Sequence, residues 1–294
     1  MPKKLILALD STQLSTYAGD GCPEKWNLLY NEHLRPAGWT KKYLDKGHLM
    51  HALLDIFYSL NTMDPDEMLR QEHAAAAIEI LDTAKSYATL LTPEEWTKLV
   101  TRFVQYTYRW NGNDFKPATN KIGAPAIELG FSKVLDETLE HLFIVEGRID
   151  LIDSRFKDNL IIVDHKTQSR EANLYRYRPQ MLTYAWATGY RAGMYNYIGL
   201  QESYKDHYLR RDYFDIPEHL VKSWRDQMLS IFLEIKENLR INKPFRRNLA
   251  ACSGDFDSNP CQFIKICEAK DVNIANQIKQ FAYVQVEKWS PWGK

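Results

Sequence analysis

A chain of 294 residues, 45% hydrophobic and 26% charged, has ordinary globular composition and enough length to bury a core as one large domain or two modest ones. Its 38 basic and 38 acidic residues cancel, which argues against a protein that coats nucleic acid by bulk charge but leaves room for a local basic groove. No apolar run approaches a membrane span, and the run after Lys4 is too short for a signal peptide; a soluble, cytoplasmic protein is expected, its four cysteines free or metal-bound rather than paired.

In chain order, Leu5–Leu9 reads as a short strand, and Ser11 is placed to cap a short helix reaching Tyr17. A helix is expected from Gly47 to about Leu60, and another from Glu67 to Leu90, where the alanine run after His73 favours it. Thr92, Pro93 and Glu95 supply a cap, an N1 proline and a capping box, so a third helix starts there and runs to about Arg109. Three strand-like segments follow, Ala124–Leu135, Leu142–Ile152 and Leu160–Thr167. Pro179 opens a helix to about Thr188, Met194–Leu200 and Asp206–Phe214 read as strands, and Pro217–Arg240 is a long amphipathic helix. A cysteine-bearing tail closes the chain. There is no internal repeat, and the order predicts an α/β or α+β fold with one central mixed sheet.

Two of these strands carry charge where a buried strand should not. Asp150 sits in one; Asp164 and Lys166 sit in the next. Side chains alternate across a strand, so Asp164 and Lys166 share a face while His165 points the other way, and Arg148 and Asp150 share the face opposite Ile149 and Leu151. A hairpin through Asp153–Asn159 would bring Asp150 near Asp164. Two adjacent carboxylates repel and are costly to bury, and a divalent cation between them removes both problems. Mg²⁺ takes one or two carboxylates plus waters and phosphate oxygens, and a neighbouring lysine can orient a water or stabilise developing negative charge. The set suits metal-assisted phosphodiester hydrolysis; an Asp–Lys ion pair at a sheet edge, without metal, is the other reading.

The segment Gly147–Thr167 resembles the motifs of the PD-(D/E)XK nuclease superfamily, and within it the RecB- and AddB-like nucleases and the CRISPR-adaptation nucleases. "GRID" stands where that branch has GxxD, "VDHKT" where it has (V/I)D(Y/H)K(T/S), Gln180 and Tyr184 form its QxxxY, and "GHLMH" from Gly47 to His51 forms its GxxxH. Glu128 matches a glutamate on the preceding strand. The resemblance implies a restriction-endonuclease-like core and a single nuclease domain over 1–294, with a helical insertion at 47–110 and a catalytic core at 124–215. It implies Mg²⁺ or Mn²⁺ held by His51, Asp150, Asp164 and the His165 carbonyl, and a water positioned by Lys166. Gln180 and Tyr184 would touch the DNA backbone or support Lys166.

Cys22, before a proline, and the trio Cys252, Cys261 and Cys267 contain no CxxC pair. Their arrangement resembles the iron–sulfur staple of the same branch, although the Cys252–Cys261 gap is longer than the family's. The resemblance implies a 4Fe–4S cluster joining segments 11–30 and 250–270; a zinc site or four unrelated thiols are the alternatives. Basic clusters at Arg176 and Arg178, Arg210 and Arg211, and Lys243, Arg246 and Arg247, interleaved with tyrosines, could hold phosphates and stack on bases. The expected activity is a single-strand DNA exonuclease. An end-processing endonuclease subunit serving a helicase, recombination or integrase partner, or a non-catalytic DNA-binding module, are the alternatives.

Overall fold

The computed structural model describes residues 4–19, 21–38, 42–63, 69–84, 90–119, 123–156, 159–168, 175–200, 209–252 and 260–288. The chain divides into two compact units: a central one, Lys41–Gly130 with Arg148–Val221, and a terminal one, Met1–Thr40 with Phe131–Gly147 and Lys222–Lys294.

In the central unit three helices, α3 (Lys42–Met63), α4 (Arg70–Ala84) and α5 (Pro93–Arg109), precede the strands. Strands β3 (Ile127–Glu137) and β4 (His141–Asp153) enter it at one end only; β5 (Ile161–Gln168), helix α6 (Pro179–Thr188), β6 (Ala192–Gly199) and β7 (Leu209–Asp215) follow. Here β4 pairs antiparallel with β5, β5 parallel with β6, and β6 antiparallel with β7. The core joins Leu53 and Phe57 of α3 and Phe103 of α5 to Leu151, Val163 and Ile198 of the sheet, all buried. The capping box at the start of α5 forms as expected, with Thr92 and Glu95 each satisfying the other's backbone N–H.

The terminal unit contains β1 (Leu5–Asp10), which pairs parallel with the first half of β4. Helix α1 (Ser11–Tyr17) and the short α2 (Pro23–Trp26) lead into a π-helical turn at Asn27–Asn31 and strand β2 (Leu34–Pro36). After α7 (Glu218–Arg240) come α8 (Ile264–Cys267), α9 (Val272–Ala282) and β8 (Tyr283–Gln285), and β8 pairs antiparallel with β2. Leu28, Leu29, Leu34, Phe263, Ile266 and Tyr283 form the small core that ties these early and late segments together. The strand order is β1-β4-β5-β6-β7 with β3 on β4, a mixed sheet in an α/β fold.

Three local expectations are corrected. The cap of α1 is Asp10, not Ser11, because its carboxylate accepts from both Thr12 N and Gln13 N. Gly47 does not start α3 but lies inside it, where a Cβ would come within 2.9 Å of Thr167 Oγ1 on β5. The second expected helix is α4, Arg70–Ala84; residues 64–68 and 85–89 of that stretch lie outside the described residues.

Candidate metal centre and active site

The site is built where β4 and β5 part. Their ladder runs from Asp153 opposite Ile161 to Leu151 opposite Val163. One step further the Asp150 carboxylate accepts the His165 backbone N–H at 2.7 Å, so a side chain satisfies a backbone donor at the point where the strands open. Helix α3 passes over this opening because Gly47 permits close approach to Thr167, and one turn later His51 faces the carboxylates.

His51, Glu128 and Asp150 bring their ligand atoms within 4.8 Å of one another. His51 Nε2 donates to the His165 carbonyl at 3.1 Å, which leaves Nδ1 facing Asp150 Oδ2 at 3.8 Å and Glu128 Oε1 at 3.9 Å. Glu128 reaches this position with φ of 45°, a left-handed conformation rare for a residue with a side chain. Sequence reasoning noted Glu128 but gave it no ligand role; the signal was its place one strand before Asp150.

The electrostatics fit an unmet demand for positive charge. Burial pushes the Asp150 carboxyl up, with Asp164 and Glu128 adding to the rise and His51 opposing it. Burial pulls His51 down, but Asp150, Glu128 and Asp164 outweigh it and hold its pKa at about 9. Protons thus do part of what a cation would do, and nitrogen and oxygen donors around a half-buried centre suit a divalent ion.

Asp164, at 1% exposure, is turned toward Lys166, whose Nζ lies 2.6 Å from Oδ2. Lys166 also donates to Gln180 Oε1 at 2.9 Å; Gln180 Nε2 donates to Tyr184 OH at 2.9 Å, and Tyr184 OH donates to the Arg148 carbonyl at 2.6 Å. Residues four apart on α6 thus connect the lysine of β5 to the backbone of β4, two residues before Asp150. Because Lys166 and His165 point to opposite faces, α6 approaches the strand from one side, while Tyr58 of α3 stacks on the His165 ring from the other. Burial holds the His165 imidazole well below its usual pKa.

The structure corrects one part of the expected basic surface. Arg211 is not a free phosphate contact: it is buried, pairs with Asp114, and lies over the Phe115 ring at 3.7 Å and the Trp110 ring at 4.0 Å. Arg246 lies 3.5 Å from Glu234, and Arg247 donates to the Cys267 carbonyl at 2.8 Å.

All four cysteines belong to the terminal unit. Cys22 Sγ accepts from Asn248 N at 3.4 Å, Cys252 Sγ lies 3.7 Å from the Asn248 carbonyl, and Cys261 N donates to the Cys252 carbonyl at 3.0 Å. Burial pushes Cys267 up to about 11, with Glu24, Cys261 and Cys22 adding to the rise against Arg247; burial and the neighbouring Cys261 and Cys22 likewise raise Cys252. Among the described residues no group of three thiols crowds closely enough to share one ion. No described helix is long and apolar enough to cross a membrane.

The chain matches a family described as the PD-(D/E)XK nuclease superfamily over residues 11–268. No curated protein matches it. A solved structure described as the crystal structure of SSO0001 is similar, with 16% identity and a TM-score of 0.34 over 66% of this chain and 81% of that one.

Proposed function

Because the chain belongs to the PD-(D/E)XK nuclease superfamily, we propose that it is a Mg²⁺- or Mn²⁺-dependent deoxyribonuclease acting as an exonuclease on single-stranded DNA. The observation that carries this reading is the convergence of His51, Glu128 and Asp150 beside the Asp164–Lys166 pair. His51 Nδ1 and the carboxylates of Glu128 and Asp150 would hold the cation, with Asp164 completing the set, while the His165 carbonyl, expected as a ligand, instead accepts from His51 Nε2 and orients its ring. The cation, when bound, would polarise the scissile phosphate and lower the pKa of water. Lys166, held by Gln180, is placed to orient that water, and freed from Asp164 its ammonium would face developing negative charge. Tyr184 keeps this bracing rigid, since its hydroxyl serves Gln180 and the strand backbone together.

For the cysteines we favour a 4Fe–4S cluster over zinc. A tetrahedral zinc ion needs its four sulfurs about 2.3 Å from one centre. A cubane sets each thiolate on a different iron and spaces them further apart, so it does not need three thiols crowded round one ion, an arrangement not found among the described residues. Cys252 and Cys267, whose pKa values are raised first by burial, would be deprotonated by such a group.

The test is digestion of end-labelled linear single-stranded, linear duplex and circular single-stranded DNA with Mg²⁺ or Mn²⁺. The exonuclease reading predicts loss of the linear single strand from one end, with the circle intact. Cleavage of the circle would favour the endonuclease alternative, in which the chain processes ends for a helicase, recombination or integrase partner. Binding without cleavage of any substrate would favour a DNA-binding module.

A further inference from the structure

Behind the metal group runs a chain of buried polar residues that starts at the Asp114–Arg211 ion pair and ends at His165. Asp114 accepts from Tyr58 OH at 2.8 Å and is paired with Arg70 and Arg211. A carboxylate can only accept and a guanidinium can only donate, so the protons between them are ordered. Arg211 Nε donates to Asn196 Oδ1 at 3.3 Å, which turns the Asn196 amide nitrogen the other way. That nitrogen contacts the Tyr106 hydroxyl at 3.1 Å and His165 Nδ1 at 2.8 Å, spending one proton on each. The Tyr106 oxygen also accepts from Arg211 Nη2 at 2.9 Å, so its own proton goes to Tyr58 OH, 2.6 Å away, and Tyr58 passes its proton to Asp114. His165 Nδ1 therefore accepts from Asn196, and the ring carries its proton on Nε2.

The same ring is clamped sterically. Tyr58 lies parallel to it at 6.1 Å between centroids, and His51 meets it edge-on at 5.8 Å. Asn196 and Tyr106 are fully buried, and Asn196 sits beside His165 in the parallel β5–β6 register. The peptide of His165 then touches two members of the metal group, through its N–H to Asp150 and its carbonyl to His51.

We propose that Asn196 is a positioning residue of the metal centre: by holding His165 in its neutral Nε2–H form, it fixes the His165 backbone against Asp150 and His51. The inference rests on the metal-centre reading of the preceding section. A residue that merely filled space and held Arg211 would leave metal affinity and the His165 tautomer indifferent to the donor it offers.

The discriminating variant is Asn196→Asp, which keeps the volume and the contact to Arg211 but replaces the donor facing Nδ1 with an acceptor. Two readouts apply: ¹⁵N chemical shifts of the His165 ring, assigned with His165→Gln, and the Mn²⁺ dissociation constant from spin-resonance titration. The expectation is an Nε2–H ring in the wild type, a proton moved to Nδ1 in Asn196→Asp, and Mn²⁺ binding weakened about tenfold or more, as for other groups that orient metal ligands. Saturating Mn²⁺ should recover most of the lost nuclease rate. An Nδ1–H ring in the wild type overturns the inference whether or not any variant folds. So does a folded Asn196→Asp that binds Mn²⁺ within about twofold of the wild type. If the wild type binds no Mn²⁺, or His51→Ala binds it equally well, the metal-centre reading falls and takes this inference with it. If His51→Ala loses Mn²⁺ while Asn196→Asp keeps it, only the inference falls.

Discussion

His51 Nδ1 and the Asp150 carboxylate face each other at 3.8 Å. Burial and the neighbouring carboxylates raise Asp150, while those carboxylates keep His51 protonated up to about pH 9. A cation binding at His51 Nδ1 must displace that proton. The sign is therefore fixed: Mn²⁺ affinity should rise as pH increases from about 7 toward 9, and calorimetry in buffers of different ionisation enthalpy should register proton release on binding. An affinity flat across that window would contradict the assignment of His51. At this scale much of the candidate site was legible. Asp150, Asp164, Lys166, Gln180 and Tyr184 stand at motif spacings, and the structure brings them together with His51. Asn196, Asp114 and Arg211 were not legible as a group, because each acts through partners on other elements. The cluster in sequence marks Arg211 as a residue to hold phosphates, whereas its partner in the structure is a carboxylate 97 positions away.

Helix α3 and strand β5 show how one small residue governs an element. Gly47 was read as a helix start, a natural inference for a glycine, since glycine weakens a helix interior. Its place within α3 is explained by Thr167 of β5, which a Cβ would meet at 2.9 Å. Gly47→Ala should gain about 1 kcal/mol of helix propensity yet push α3 off β5, so Mn²⁺ affinity should fall. In a Thr167→Ala background, where the obstructing oxygen is gone, the same change should leave affinity alone. Equal loss of affinity in both backgrounds would rule out the contact as the cause. Thr92→Ala offers a contrast, costing about 1 kcal/mol by chemical denaturation through loss of the capping box without touching metal affinity. The central strands and long helices were legible because periodicity and caps are local signals. The π-helical turn, α8, α9 and the β2–β8 pair were not, being short pieces held by a core drawn from both ends of the chain.

The two proposed metal centres fall in different compact units of the chain. The residues proposed for catalysis lie in the central unit and all four cysteines in the terminal one, so the two proposed centres can fail separately. Anaerobically purified protein should contain about four irons per chain, and Cys22→Ser should lose them and expose residues 260–270 to protease. Closing a loop of more than 200 residues is worth roughly several kcal/mol, by analogy with a long disulfide loop. Stoichiometric zinc without iron would overturn the cluster and leave the nuclease untouched. Balanced net charge was readable from composition, but not where the charge goes, since Arg70 and Arg211 both serve the buried Asp114. The central claim is that Asp164 and Lys166 act in chemistry, and single-turnover cleavage of end-labelled single-stranded DNA tests it most directly. With saturating Mn²⁺, Asp164→Ala and Lys166→Ala should each abolish cleavage while DNA binding by anisotropy persists, because phosphate contacts come from other residues. Cleavage by either variant at near wild-type rate would contradict it.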